Sequence, residues 1–254
     1  MAQVRWTRDQ LLVAFNLYFR IPFGRMHSRN HEIIELSKII GRTPDALAMK
    51  LSNIASLDPA EKARKISGLK GSSKLDRKIW DEFHTNWEQL AFESEEAKCR
   101  LAKLPQGNQE LAEFPNGPTE AVRETRVRLV QGFFRQAILS NYESRCAVCL
   151  ITEERLLIAS HIIPWSEDEK RRADPSNGLA LCALHDRAFD NWLISFSESF
   201  ELLVSSRLKT KDAVGVHRAA FLDLEGQRLS RPIRFNPDPA ALAIHRAKFD
   251  TLSS

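Results

Sequence analysis

Apolar residues recur at near-helical spacing early in the chain, at Leu11, Leu12, Phe15 and Phe19, and Thr7 stands where an N-cap belongs. Pro22 and Gly24 close that segment. A second pattern, Ile33, Ile34, Leu36, Ile39 and Ile40, stops at Gly41. Thr43-Pro44 then supplies the N-cap and first residue of a third helix through Ala46, Leu47, Met49, Leu51 and Ile54. Short helices joined by a tight Gly41-Arg42-Thr43 turn predict a helix-turn-helix plan. Trp80, Phe83 and Trp87 read as core of a following helix. Residues 105–119 (PQGNQELAEFPNGPT), rich in proline and glycine and poor in apolar residues, predict a linker. Beyond it, residues 156–163 read as a strand, 179–192 as a helix, 193–196 with 200–205 as a hairpin, and 240–249 as a closing helix. The expected fold class is α+β: an all-helical domain over 1–104, the linker 105–119, and a second domain over 120–254 with its core at 142–194.

Charge separates the halves. Residues 1–104 hold 18 Lys and Arg against 13 Asp and Glu, whereas 105–254 hold 19 against 20. Residues 62–78 contain seven basic side chains and one acid, Asp76, a density that suits a polyanion. If the helix-turn-helix plan holds, Arg42, Thr43, Lys50 and Asn53 face DNA, and Lys62, Lys70 and Lys74 track its backbone. The alternative is a helical bundle that holds the second domain or mediates dimerisation. Apolar runs are too short to span a bilayer and there is no N-terminal signal segment, so a soluble cytoplasmic protein is expected.

Four cysteines in 254 residues do not make a secreted disulfide framework. Cys146-x-x-Cys149 and Cys182-x-x-His185 have the spacing of a structural zinc site, with buried packing cysteines as the alternative. Asp186 and Asp190 lie four apart on one helical face, which suits shared coordination of magnesium or manganese. No glycine-rich phosphate loop and no Gly-x-Ser-x-Gly elbow is present.

The run CAVCLITEERLLIASHIIPW, followed by DPSNGLALCALHDRAFDNWLISF, resembles the HNH endonucleases, in the branch of predicted restriction enzymes. The early Trp and the GRTPDAL turn resemble Myb-like or homeodomain-like DNA-binding folds. The HNH resemblance implies a ββα-metal domain and a phosphodiester hydrolase leaving 5′-phosphate and 3′-hydroxyl ends. It implies His161 as general base, Asn177 as the residue that orients the loop and the base, and His185 and Asp190 as cation ligands. Ser160 departs from the pattern, since an acid often stands there, so His185, Asp186 or water must complete the cation's ligands. If zinc takes His185, Asp186 and Asp190 inherit the catalytic cation. The resulting expectation is a restriction endonuclease on double-stranded DNA, with a homodimer favoured for double-strand cuts and dependence on modified bases left open. The rival is a catalytically weak or inactive HNH-fold regulatory zinc protein that binds DNA.

Overall fold

The computed structural model describes residues 5–102 and 120–252, so the expected linker 105–119 falls outside the described residues. The chain forms two compact units, Met1–Ala137 and Ile138–Ser254. Among the described residues no helix is long and apolar enough to cross a membrane.

The first unit is helical throughout its described residues. Helix α1 (Arg8–Arg20) begins on a capping box between Thr7 and Gln10, and eight of its residues are buried. Such burial around most of the circumference makes it the central element. Helix α2 (His31–Ile40) ends on Gly41, whose left-handed φ of 65° closes the helix at little steric cost. Thr43 Oγ1 then accepts from the Ala46 amide, and Pro44 opens α3 (Pro44–Ala55). Helices α4 (Pro59–Ala63), α5 (Lys74–Phe83) and α6 (Trp87–Ala102) complete the bundle. The expected helix around Trp80 and Trp87 is therefore two helices, α5 and α6. Trp87 packs edge-on against Phe19 at 4.6 Å, and Trp80 against Phe15 at 5.6 Å. Helix α7 (Glu120–Asn141) runs across the division between the units.

In the second unit, β1 (Leu157–His161) pairs antiparallel with β2 (Gly178–Cys182), His161 facing Gly178. Helix α8 (Ala183–Asp190) follows β2 directly and packs on both strands. The helix expected over 179–192 is thus corrected: its first residues form β2. Every residue of β2 is buried, and a short buried apolar run has no periodicity to tell strand from helix. Strands β3 (Ile194–Phe196) and β4 (Leu202–Val204) form the antiparallel hairpin. Helix α9 (Gly215–Ala220) follows, and α10 (Pro239–Leu252) closes the unit against β3.

Candidate active site and metal centre

The two constellations lie on one scaffold: β1 and β2 carry a histidine at one end, and the β2–α8 junction carries sulfur ligands at the other. Cys146 and Cys149 sit in a turn closed by the Leu150 amide on the Cys146 carbonyl, with Leu150 at φ 62°. That turn faces Cys182, the N-cap of α8, and His185 in its first turn. The four ligand atoms lie within 4.8 Å of one another. Cys149 Sγ is 3.7 Å from Cys182 Sγ, and His185 Nδ1 is 3.1 Å from Cys182 Sγ and 3.6 Å from Cys146 Sγ. A tetrahedral zinc with ordinary bond lengths needs sulfurs about 3.8 Å apart, so this donor set fits zinc.

His185 Nε2 donates to the Ala220 carbonyl at 2.8 Å, which leaves Nδ1 as the nitrogen turned to the sulfurs. Burial pushes the His185 imidazole down, but the Cys146 and Cys182 sulfurs and the Ala220 carbonyl outweigh it and raise the pKa to about 10. Contact with Cys146 and Cys149 holds the Cys182 thiol far below its ordinary value, while contact with Cys146 and Cys182 drives Cys149 far above its own. Four crowded donors that must share protons are poised for a cation instead. His185, named above for both metals, is buried on the sulfur side and apart from the carboxylates in its hydrogen bonds.

His161 ends β1, half-buried. Its Nε2 lies 3.0 Å from the Arg172 carbonyl, which can only accept, so Nε2 carries the proton and Nδ1 is the basic nitrogen. The Trp165 ring meets the imidazole edge-on at 5.7 Å, and Arg172 lies over that ring at 5.1 Å and donates to the Trp165 carbonyl. Burial lowers the His161 pKa from 6.5, against the Arg172 carbonyl and Asp190, which raise it. Asn177, 1% exposed, accepts from the Ile163 amide at 2.9 Å and donates to the Ile163 and Arg171 carbonyls. It therefore fastens both sides of the loop that orients His161.

Asp186 and Asp190 lie one turn apart on α8. Burial raises the Asp186 pKa, the Ser160 hydroxyl opposes this, and the Asp190 charge adds to it. Among the described residues the buried Ser160 hydroxyl finds no well-formed hydrogen bond, so its influence on Asp186 is one of proximity. Asp190 is solvent-accessible but raised by partial desolvation, with Arg187 and His161 opposing. The Asp190 charge raises the Asp186 pKa, and His161 works against the rise at Asp190, so two carboxylates one turn apart, one of them beside the histidine, offer oxygen donors suited to a hard divalent cation. Among the described residues, however, only the cysteine cluster gathers three or more such groups at mutual ligand distance.

Residues remote in sequence complete the cleft. His161, Pro164, Glu167, Asp190, Trp192 and Lys248 line it. Lys248 reaches Glu167 at 2.9 Å. His245 also lines this cleft and is buried: its Nε2 donates to the Phe189 carbonyl and its ring stacks on Phe189 at 3.7 Å. No local motif flags either α10 residue, because only tertiary folding brings them to His161.

In the first unit, Lys50 is buried and pairs with Asp76 at 2.9 and 3.0 Å, so it is not placed to meet a base edge. Arg42 donates to the Arg5 carbonyl and Gln10 and lies over the Trp6 ring at 4.9 Å. Thr43 is spent as a helix cap and Asn53 is half-buried. Lys62, Lys70 and Lys74 are exposed.

No curated protein matches the chain. Residues 146–197, which span the sulfur cluster, β1, β2, α8 and β3, match the family model described as HNH endonuclease, and this similarity supports nuclease chemistry for the segment.

Proposed function

We propose that this protein is a divalent-cation-dependent DNA endonuclease. The reading rests above all on His161: a histidine oriented by the Arg172 carbonyl, with Nδ1 left basic, in a cleft shared with Asp190. Nδ1 takes the proton of an attacking water, and burial keeps the imidazole neutral to lower pH than usual. Asn177 keeps that ring from turning by fixing the loop behind it. Asp186 and Asp190 hold the cation, which when bound supplies charge stabilisation to the phosphate and the leaving oxygen. Cys146, Cys149, Cys182 and His185 would hold a zinc ion, which would tie the turn before β1 to the start of α8 and so steady the frame on which these groups stand.

The match to HNH endonucleases favours hydrolysis to 5′-phosphate and 3′-hydroxyl ends. Double-stranded DNA is the substrate, held through the exposed Lys62, Lys70 and Lys74 of a helical targeting domain. Restriction of foreign DNA in the cytoplasm follows from joining such a domain to a nuclease, and paired chains would cut both strands. One observation favours a second reading, a regulatory zinc protein without turnover. Ser160 stands beside the base with a buried, poorly bonded hydroxyl where an acid would strengthen the cation site.

Plasmid incubated with the full chain and magnesium, manganese or no added cation separates the two. The nuclease reading expects nicks or linear product with added cation, and His161→Ala lowers the rate at least about 100-fold. Intact supercoiled plasmid under every condition would leave the regulatory reading.

A further inference from the structure

A second cleft, of about 940 Å³, lies entirely within the second unit, between the β3–β4 turn, the 228–232 segment and the start of α10. Its volume is in the range of roughly 300–1,000 Å³ usual for ligand clefts. Tyr142 lines it, and that residue is 2% exposed with a hydroxyl that finds no hydrogen-bond partner among the described residues. Buried hydroxyls are ordinarily paired, so an orphan on a cleft wall marks a place for a ligand's polar atom. Burial drives the phenol's pKa up, which keeps the proton available for donation.

The charges of the cleft point to an anion. Its two acids are matched by arginines: Asp238 pairs with Arg171, and Glu198 lies 3.8 Å from Arg246. Arg228 and Arg231 also line it, both are exposed, and among the described residues neither makes an ion pair. Phe200 presents an aromatic ring from the hairpin turn, held at φ 62°, where a bulky side chain is rarely found. Guanidinium groups match phosphate oxygens, and an aromatic ring offers a stacking face to any base. An unsatisfied hydroxyl can read a base edge.

We infer that this cleft binds a nucleotide, its phosphate on Arg228 and Arg231, its base against Phe200, and a base-edge atom on the Tyr142 hydroxyl. The nucleotide has two sources, one turned out of a substrate strand or one free in solution. Helix α10 joins this cleft, through Pro239, to the His161 cleft, through Lys248. The nine helical steps from Pro239 to Lys248 span roughly 14 Å, about four nucleotide steps along one strand, so one strand can engage both clefts. That arm of the inference rests on the endonuclease reading; the free-nucleotide arm does not.

The test uses the full chain carrying His161→Ala, so that DNA is not consumed and no chelator disturbs the sulfur cluster. Deoxynucleoside 5′-monophosphates are titrated calorimetrically, and a duplex containing 2-aminopurine is followed by fluorescence. Saturable monophosphate binding is expected, weakened about 10-fold or more by Arg228→Gln with Arg231→Gln. Tyr142→Phe should weaken it several-fold with an unchanged or raised thermal midpoint, which separates lost recognition from lost folding. A rise in 2-aminopurine signal competed by monophosphate assigns the cleft to a strand nucleotide; monophosphate binding with a silent duplex assigns it to a free one. No saturable binding of either probe, binding equal in all variants, or inorganic phosphate binding as tightly as the nucleotide overturns the inference. Plasmid nicking with His161 intact is read separately: nicking without nucleotide binding sinks this inference alone, and nucleotide binding without nicking sinks the endonuclease reading and its strand arm while the free-nucleotide arm stands.

Discussion

Asn177 and Ile163 exchange two hydrogen bonds: the Ile163 amide donates to Asn177 Oδ1 at 2.9 Å, and Asn177 Nδ2 donates to the Ile163 carbonyl at 3.1 Å. The side-chain amide thus imitates a backbone partner just after β1 stops. Because the Ile162 amide also bonds the Asn177 carbonyl, one residue extends the ladder past His161. Asn177→Ala would strand the Ile163 amide and carbonyl in a buried setting and should cost about 2 kcal/mol or more. Urea unfolding should show a lower midpoint with the same slope. Cleavage should fall beyond what the unfolded fraction explains, since His161 loses its orienting loop. A variant as stable and active as the parent would show that the loop holds its shape without this amide.

The charge state of His245 couples the stability of the second unit to pH. Burial lowers its pKa from 6.5 to about 4, with the Phe189 carbonyl opposing and Lys248 adding to the depression. Below pH 6.5 the unfolded chain takes up a proton that the folded chain refuses until about pH 4. Stability is therefore full above about 6.5, declines as pH falls toward 4, and changes no further on this account below it. The loss across that window is about 3 kcal/mol. His245→Phe cannot take up the proton, so its stability should vary less between pH 6.5 and 4, from a lower plateau because Ser195 and the Phe189 carbonyl lose their partner. Parallel pH profiles for parent and variant would remove His245 as the source.

Much of the local structure was legible because it depends on neighbours in sequence. Thr7 and Thr43 cap helices with their side-chain hydroxyls, Gly41 and Pro44 close and open them through their own backbones, and the structure places α1, α2 and α3 between them. The ligand spacing around Cys146 and Cys182 was legible for the same reason. Leu179 was not: a buried apolar strand and a buried helix turn look alike until a partner strand is known. Lys50 misled because sequence shows a cation on the third helix but not the carboxylate of Asp76, 26 residues later, that buries it. His245 and Lys248 carry no motif, and only the packing of α10 reveals them.

The sulfur cluster makes a prediction about metal and folding together. The purified chain should hold about one zinc, and a strong chelator should unfold the second unit, because binding energy at such sites is folding energy. Cys149→Ser keeps the size of the side chain but removes a thiolate, so it should lower metal content and the thermal midpoint together. Magnesium withdrawal alone should stop cleavage and leave circular dichroism unchanged, since Asp186 and Asp190 serve chemistry on an already folded helix. A zinc-free chain that is as stable as the zinc-bound one would reduce the cluster to packing.

Lys50 and Lys70 should behave in opposite ways, although both are cations of the same unit. Lys50 is buried against Asp76, whose carboxylate also accepts the Ser73 amide at 2.7 Å and so caps α5. Removing the lysine leaves a buried acid uncompensated, a loss of about 3–5 kcal/mol. Lys50→Ala should therefore lower stability sharply, whereas Lys50→Met with Asp76→Asn should recover much of it because no charge is left alone. Where the single variant is still folded, the slope of log affinity for duplex DNA against log salt should match the parent, because no phosphate contact is lost. Lys70 is exposed, with no acid at ion-pair distance among the described residues. Lys70→Gln should leave stability within about 0.5 kcal/mol of the parent and reduce the salt slope by about one. Denaturation curves and salt titrations on one duplex measure both. If Lys50→Ala instead flattens the slope while stability holds, Lys50 leaves Asp76 to meet DNA, and the third helix regains the role its turn suggests.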